Sequence, residues 1–347
     1  MHRPTLIAAF ALLAGTLPAM PAQANTMADP LDRPALISSL ASRAVMLDLT
    51  RAGTQAGSRL VAVGERGIVL LSDDQGGTWR QAVVPVSVSL TAVAFADARI
   101  GWVVGHSGVI LKTEDGGEHW KLQLDGRQVA DRIAKSGVSE AAAQRWLKDG
   151  ADKPFLALHV ADAKSVQVVG AFGLAFRSRD GGATWDDFGD KLDNPKGNHL
   201  YAIAVQDEHM FIAGEQACFF ASNDGGMTFK RLGLPYKGSL FELHPTAKGL
   251  FAVGMKGKLL FTPDQGKTWS DVANPMPVSL LSVTTLPNGK QLWLNQAGQF
   301  LMGGEDAQPL MPLQGLAAPA AIRATVADSK RLVTAGFRGV SVQPWTH

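Results

Sequence analysis

Short apolar runs of β-strand character recur along this chain at nearly regular intervals. They start at Val45, Leu90, Leu156, Leu200, Leu240, Leu280 and Ile322, and each leads through a second run into a Gly-bracketed turn. The turn reads Val63-Gly64-Glu65-Arg66-Gly67 in the first unit and Val104-Gly105-His106-Ser107-Gly108 in the second. It returns as Val169-Gly170-Ala171-Phe172-Gly173, Ala213-Gly214-Glu215-Gln216-Ala217 and Val253-Gly254-Met255-Lys256-Gly257. Leu294-Asn295-Gln296-Ala297-Gly298 and Ala335-Gly336-Phe337-Arg338-Gly339 complete seven copies. Their first residues lie 41, 65, 44, 40, 41 and 41 positions apart, so one interval carries about 24 extra residues. Glycine at both ends of a two-residue connection predicts a tight hairpin, because glycine adopts positive φ at no steric cost.

A second signature follows at a fixed offset. It reads Ser72-x-Asp74-x-Gly76-x-Thr78-Trp79 in the first unit and Thr113-x-Asp115-x-Gly117-x-His119-Trp120 in the second. Units three to five carry Asp180 with Trp185, Asp224 with Phe229, and Asp264 with Trp269, while the sixth keeps only a degenerate Gly303-Gly304-Glu305-Asp306. This is the Asp-box. The carboxylate is expected to accept N–H bonds from its own turn, the Gly to take a left-handed position, and the aromatic ring to pack on a neighbouring sheet. All ten of these Asp and aromatic residues therefore read as structural, since five rim copies cannot all be one metal or acid–base centre.

Four strands per unit of about 41 residues, seven times over, predict an all-β fold: one seven-bladed β-propeller of four-stranded blades spanning residues 25–347. The last unit stops 11 residues after Gly336, where its fourth strand should begin. Residues 34–39 are expected to supply that strand and close the ring, removing the exposed edges. The extra residues, about 126–152, lie between units two and three. Ser139 is a candidate N-cap and Gly150 a stop for a helix with Ala142, Ala143, Trp146 and Leu147 on one face, and a shorter helical turn is expected around Val129 and Ile133.

In a blade of strands a to d, the b–c hairpin and the d-to-a link emerge on one face, and the a–b and c–d turns on the other. The insert is a d-to-a link, so it shares a face with the hairpins, opposite the Asp-boxes. It either packs flat on the propeller or caps a partner site. Arg66, Arg338, Lys256, Phe172 and Phe337 on the hairpins, with Trp146 from the insert, form the candidate partner-binding set, because a mixed Arg and aromatic surface suits protein recognition. Arg66 and Arg338 should be neighbours, since the last and first blades adjoin in a closed ring.

Composition narrows the function. Among 347 residues, 33 basic against 31 acidic leave a net charge of +2, without the concentrated basic face that nucleic acid requires. Length alone suggests two domains; the repeats reduce them to one. Cys218 is the single cysteine, set in an apolar run, and reads as a buried structural thiol. Residues 1–24 read as a signal peptide: His2 and Arg3, an apolar stretch from Leu6 to Leu17, then Ala22-Gln23-Ala24. Pro18 and Pro21 argue against a membrane anchor, no later segment is long enough to span a bilayer, and a periplasmic location is expected. The eight His residues show no metal-ligand spacing, and neither a phosphate loop nor a dinucleotide fingerprint is present, so no metal or cofactor is expected. His119 reads as a rim hydrogen-bonder. Ser89, Phe155, His199, Ser239 and Ser279 are expected to ring the channel entrance.

The Gly-x-x-Gly hairpins followed by Ser/Thr-x-Asp-x-Gly-x-Thr-Trp boxes, behind a signal peptide, resemble the BNR/Asp-box repeat proteins. Within them the chain looks most like bacterial relatives of the photosystem II stability and assembly factor family, over roughly residues 45 to 345. The resemblance implies a soluble, non-enzymatic propeller that helps assemble or stabilise a membrane protein complex and docks through an Arg-bearing surface. The implied partner is a protein of an envelope membrane complex, and a monomer is expected. Sialidase-like glycoside hydrolases, which carry the same boxes, are the rival. They need an Arg triad, a Tyr–Glu nucleophile pair and an acid Asp, whereas this chain has only Tyr201 and Tyr236 and lacks an Arg-Ile-Pro motif. Glu65, Glu215 and Glu242 are the acidic candidates for another hydrolase design. A third possibility is small-ligand or peptide binding at the channel mouth.

Overall fold

The computed structural model describes residues 28–53, 58–135, 140–304 and 306–346; the expected signal segment, Ser139 and Glu305 lie outside them. Seven antiparallel sheets succeed one another around a central channel, and the innermost strand of each touches that of the next, the last returning to the first. Blade 1 comprises Met46–Arg51, Leu60–Gly64, Val69–Ser72 and Arg80–Gln81, from the channel outward. Blade 2 starts at Leu90–Phe95, blade 3 at Phe155–Val160, blade 4 at Leu200–Gln206, blade 5 at Leu240–Thr246, blade 6 at Leu280–Thr285 and blade 7 at Ala321–Val326. The seven-bladed expectation holds, with inner strands starting within one residue of the predicted runs.

The core lies between blades. The second strands are buried on both faces, as in Leu60–Gly64, so most of their positions are apolar without alternation. Aromatic side chains fill the wedge-shaped gaps. Phe251 of blade 5 meets Trp293 of blade 6 edge-on, with centroids 5.3 Å apart, and the box residue Trp269 reaches back to Phe219 of blade 4 at 5.2 Å. Each fully buried ring of this kind is worth about 1.5–3 kcal/mol of transfer free energy.

The hairpin glycines work differently from the expectation. The second glycine of the turn does sit at positive φ, 73° at Gly67 and 79° at Gly173. The first does not: Gly64 is extended. It is glycine because a Cβ there would overlap the carbonyl oxygen of Val45 as the inner strand passes, and Gly105, Gly170, Gly214 and Gly336 meet the corresponding carbonyls of Ser89, Pro154, His199 and Ala320. The left-handed conformation instead falls on the non-glycine residue before the second bracket: Arg66, Ser107, Phe172, Gln216 and Lys256, with φ between 50° and 58°.

Ring closure is also corrected. Residues 34–39 form no strand, and blade 7 keeps three strands, Ala321–Val326, Arg331–Gly336 and Gly339–Pro344. The N-terminal segment is a strap along blade 1: Ala35 N donates to Val84 O (3.0 Å), Ser38 N to Gln81 Oε1 (2.9 Å), and Gln81 Nε2 to Leu36 O (2.9 Å). Blade 1's outer strand is only two residues long, so Val84 just beyond it has a free carbonyl that takes the strap. Pro34 has no N–H to offer a ladder on blade 7. Side chains close the ring in place of a strand. Arg51 donates to Val326 O (2.7 Å), Arg331 to Asp74 O (2.7 Å) and Arg323 to Asp48 (3.0 Å), each joining blades 1 and 7.

The insert holds two helices, α1 (Gly126–Ala134) and α2 (Glu140–Asp149). The expected short turn is thus a full helix, started by an Asp125–Gln128 capping box. Val129 and Ile133 pack with Phe155 and Trp185, so the insert lies flat on blades 2 and 3. Gly150, at φ 66°, follows the end of α2 as predicted.

Candidate functional site

The Asp-boxes are turn-building devices at all five positions. Asp74 accepts from Thr78 N (2.8 Å), Thr78 Oγ1 (2.8 Å) and Ser72 Oγ (2.9 Å), and Trp79 Nε1 closes the loop on Gly76 O (3.0 Å). The same bonds to the carboxylate recur at Asp115, where His119 Nδ1 replaces the Thr hydroxyl at 2.8 Å, and at Asp180, Asp224 and Asp264. These bonds stabilise the carboxylate form: the Thr78 backbone N–H, then the hydroxyls of Thr78 and Ser72, draw Asp74 down to about 2, and the Thr184 hydroxyl and backbone do so at Asp180. Each of the five box carboxylates is bonded within its own turn. Phe229 of the fourth box has no N–H, and Arg177 from blade 3 donates to Gly226 O (2.8 Å) in its place.

The opposite face carries the expected partner-binding residues. Phe172 and Phe337 are 48% and 63% exposed, and Arg66, Arg338 and Lys256 are exposed with no ion pair to any described residue. Arg66, Phe172 and Lys256 hold the left-handed position of their hairpins, which costs about 1–2 kcal/mol each for a side chain with a Cβ. Trp146 differs: it is half-buried and lies over the Lys153 ammonium at 4.7 Å. Lys153 is buried, bonds Asp152 (2.7 Å) and Asp149 (3.2 Å), and also approaches Phe172 at 5.6 Å, so it ties the insert to the blade 3 hairpin.

Two patches result. Around the junction of blades 7 and 1, the strap forms a cleft of about 730 Å³ lined by Arg33, Arg43, Arg66, Leu36 and Leu40. Gly339 of the Arg338 hairpin abuts Ser42 and Arg43, so one segment bridges the Arg66 and Arg338 hairpins. Leu36, Ile37 and Leu40 are exposed there, a feature hidden while residues 34–39 read as a closing strand. The strap is held to the insert by Arg127, which bonds Asp32 (3.0 Å) and the capping Asp125 (2.7 Å). The second patch is a file of rings at the channel mouth: Phe172–His199 at 4.7 Å, His199–Tyr201 at 6.1 Å and Tyr201–Phe241 at 5.2 Å. Of the residues expected to ring the entrance, Phe155 is instead buried against Phe176.

The acidic candidates separate cleanly. Glu65 Oε1 accepts from Val45 N (3.0 Å) and Glu215 Oε2 from His199 N (2.9 Å), the same capping contact in two blades. Tyr201 Oη donates to Glu215 Oε1 (3.3 Å); burial and this carboxylate push the phenol up to about 12. Glu242 lies in the channel, a cavity of about 490 Å³, beside a pair that sequence reasoning missed. Arg323 reaches Asp48 at 3.0 Å and Glu242 at 3.4 Å. Burial raises Glu242, and the Arg323 cation only partly opposes it. Among the described residues no cluster of His, Cys, Asp and Glu is placed to hold a metal, and no helix is long and apolar enough to cross a membrane. Cys218 is buried, its sulfur 3.1 Å from Asn198 Nδ2.

A model of the family described as "Photosynthesis system II assembly factor YCF48" matches residues 71–166 and 138–239. The chain is 24% identical over 298 residues to a photosystem II assembly protein, Ycf48, of Synechococcus sp. (strain JA-2-3B'a(2-13)), covering 64% of this chain and 88% of that protein. Among solved structures it matches "YCF48 bound to D1 peptide" with a TM-score of 0.63 at 16% identity, covering 92% of this chain and all of that one. It also matches an ancestral GH74 enzyme with a TM-score of 0.65 at 11% identity, over 86% of this chain and 44% of that one. At such identities the two structures speak for the fold.

Proposed function

We propose that this Asp-box propeller, which resembles the photosystem II stability and assembly factors in sequence and fold, is an exported, non-enzymatic scaffold that holds a membrane-protein partner on its hairpin face. The observation that carries this reading is one strap-lined cleft that sets Arg66 beside exposed Leu36 and Leu40, with the exposed Phe337–Arg338 hairpin abutting the same strap at Ser42 and Arg43. Such a surface supplies charged donors next to apolar area that water leaves readily, the combination that dominates protein hot spots. The names of the relatives support an assembly role, and the peptide-bound structural neighbour supports a polypeptide ligand from a membrane protein. Export to the periplasm rests on residues 1–24. The client is a complex of the envelope, bound by the propeller as a monomer.

The test is crosslinking capture from membranes of the native host with mature wild-type protein and the Arg66→Glu/Arg338→Glu variant. One specific membrane protein should be enriched by the wild type and lost with the variant, while the variant's melting profile is unchanged. Equal recovery by both proteins, or none by either, defeats the proposal.

A hydrolase reading draws on the GH74 neighbour and on the Tyr201–Glu215 contact. Glu215 already caps a backbone N–H, and a phenol held at about 12 is a poor nucleophile at neutral pH. Turnover on a glycan panel, abolished by Glu242→Gln or Tyr201→Phe, would favour this reading over the scaffold. Ligand binding in the channel mouth is checked by thermal-shift screening.

A further inference from the structure

One blade interface is built unlike the others. Three residues before the first hairpin bracket, the second strand of each blade presents a side chain to the next blade, paired across the ladder with one on the third strand. These pairs are apolar in most blades: Val61 with Leu71, Phe251 with Phe261, Leu292 with Met302. In blade 3 they are Gln167 with Arg177, and the inner strand adds His159 opposite Gln167. A polar row therefore crosses blade 3 where packing against blade 4 calls for carbon. Gln167 and Arg177 are each only 8% exposed, yet Gln167 Oε1 and Arg177 Nε have no hydrogen-bond partner. Turning the Gln167 amide around leaves its other atom unpaired, because Ser165 Oγ, at 3.3 Å, is the single neighbour it bonds. His159 makes no hydrogen bond through its ring to any described residue, and burial lowers its pKa, keeping the ring neutral. An unpaired buried donor or acceptor costs about 1–3 kcal/mol, so the two adjacent groups left in this state, Gln167 Oε1 and Arg177 Nε, point to an occupant.

The space they face is open. A narrow pocket of about 50 Å³, lined by Gln167 and Arg177, shares its Ser165 and Gln167 wall with a cleft of about 540 Å³ that opens on the Asp-box face. Its mouth carries Asp207 and Glu208, exposed carboxylates with no cationic partner among the described residues. The inner end needs an acceptor for Arg177 Nε–H and a donor for Gln167, which one amide group supplies together; the mouth needs a cation.

We propose that the cleft between blades 3 and 4 binds a cationic peptide segment, with an amide group against Gln167 and Arg177 and a Lys or Arg side chain between Asp207 and Glu208. The site is independent of the hairpin face, and its ligand has the opposite charge preference from the Arg-lined cleft.

The experiment follows the Arg177 Nε–H NMR resonance in the mature protein, labelled with ¹⁵N-arginine, during titration with acetyl-Lys-Gln-amide. A saturable shift is expected, with binding weakened about tenfold by Asp207→Lys/Glu208→Lys, since each surface charge pair is worth a factor of a few. Gln167→Leu, nearly the same size, should abolish the shift while the resonances of the arginines away from the cleft stay in place. No shift up to about 10 mM peptide, the range of weak single-site contacts, would mean that the pocket holds water alone and would overturn the proposal. An equal response to acetyl-Glu-Gln-amide would overturn it as well.

Discussion

Replacing Arg323 with Met tests how this ring is held together. Arg323 sits on the inner strand of blade 7 and reaches Asp48 of blade 1 (3.0 Å), Glu242 of blade 5 (3.4 Å) and the carbonyl of Leu281 in blade 6. A charge-assisted hydrogen bond contributes about 1.5–3 kcal/mol when well buried. Here the three side chains are 16–31% exposed to the channel, so roughly half of that survives solvent screening and the total is about 3 kcal/mol. The figure agrees with the low end of about 3–5 kcal/mol for removing one partner of a buried pair. It corresponds to a fall in melting temperature of about 5 °C for a domain of this size.

The pH dependence gives the mechanism. Glu242 has a folded pKa raised above its unfolded value, so its ionisation opposes folding: its contribution is most favourable below the unfolded pKa and is lost as pH rises through the folded one. Without the Arg323 cation that pKa climbs further. The deficit of Arg323→Met, measured by urea unfolding, should therefore be larger at pH 7.5 than at pH 5. Adding Asp48→Asn and Glu242→Gln should restore most of the loss, because no uncompensated charge remains. A deficit under about 1 kcal/mol, or one independent of pH, would refute this account of closure.

Three further outcomes follow from the same geometry. The Asp74, Asp115 and Asp180 carboxylates titrate near 2 when folded, below their unfolded value, so they favour folding above about pH 4 and lose that contribution as pH falls toward 2; acid titration by circular dichroism should show a cooperative loss there, shallower in Asp74→Asn. Gly64→Ala should cost more than about 3 kcal/mol, since its Cβ meets backbone that cannot move aside, while Gly233→Ala, with nothing within 4 Å, should be neutral by thermal melting. Lys256→Asn, at φ 55°, should raise stability by about 0.5 kcal/mol by relieving left-handed strain, and weaken partner capture if Lys256 contributes to docking.

The repeat was legible because each turn is written in residues with few alternatives. A box needs Asp to accept its three bonds and Gly for the left-handed step, so those letters recur at a constant offset. Closure was not legible in the same way. Two open edges, on blades 1 and 7, compete for residues 34–39, and the alternation of a strand does not name its partner. The channel charges were readable but unread. The third position of the inner strand is Asp48, Ala92, Ala157, Ala202, Glu242, Ser282 and Arg323 from blade to blade, a ring of mostly small residues in which three ionisable ones stand out. Comparing units column by column exposes them, and the same comparison exposes Gln167 and Arg177. Trp146 was placed on the correct face, yet its role depends on Lys153 beneath it, a contact that spacing does not reveal.

The central claim is that the hairpin face holds the membrane-protein partner. Photo-crosslinking from single positions tests it most directly: a photoreactive residue at Phe337 or Phe172 on one face, and at Met227 on the other, each in protein expressed in the native host. The account predicts adducts to one membrane protein from Phe337 and Phe172 and none to that same protein from Met227. Adducts from Met227 alone, or from none of the three, would contradict it.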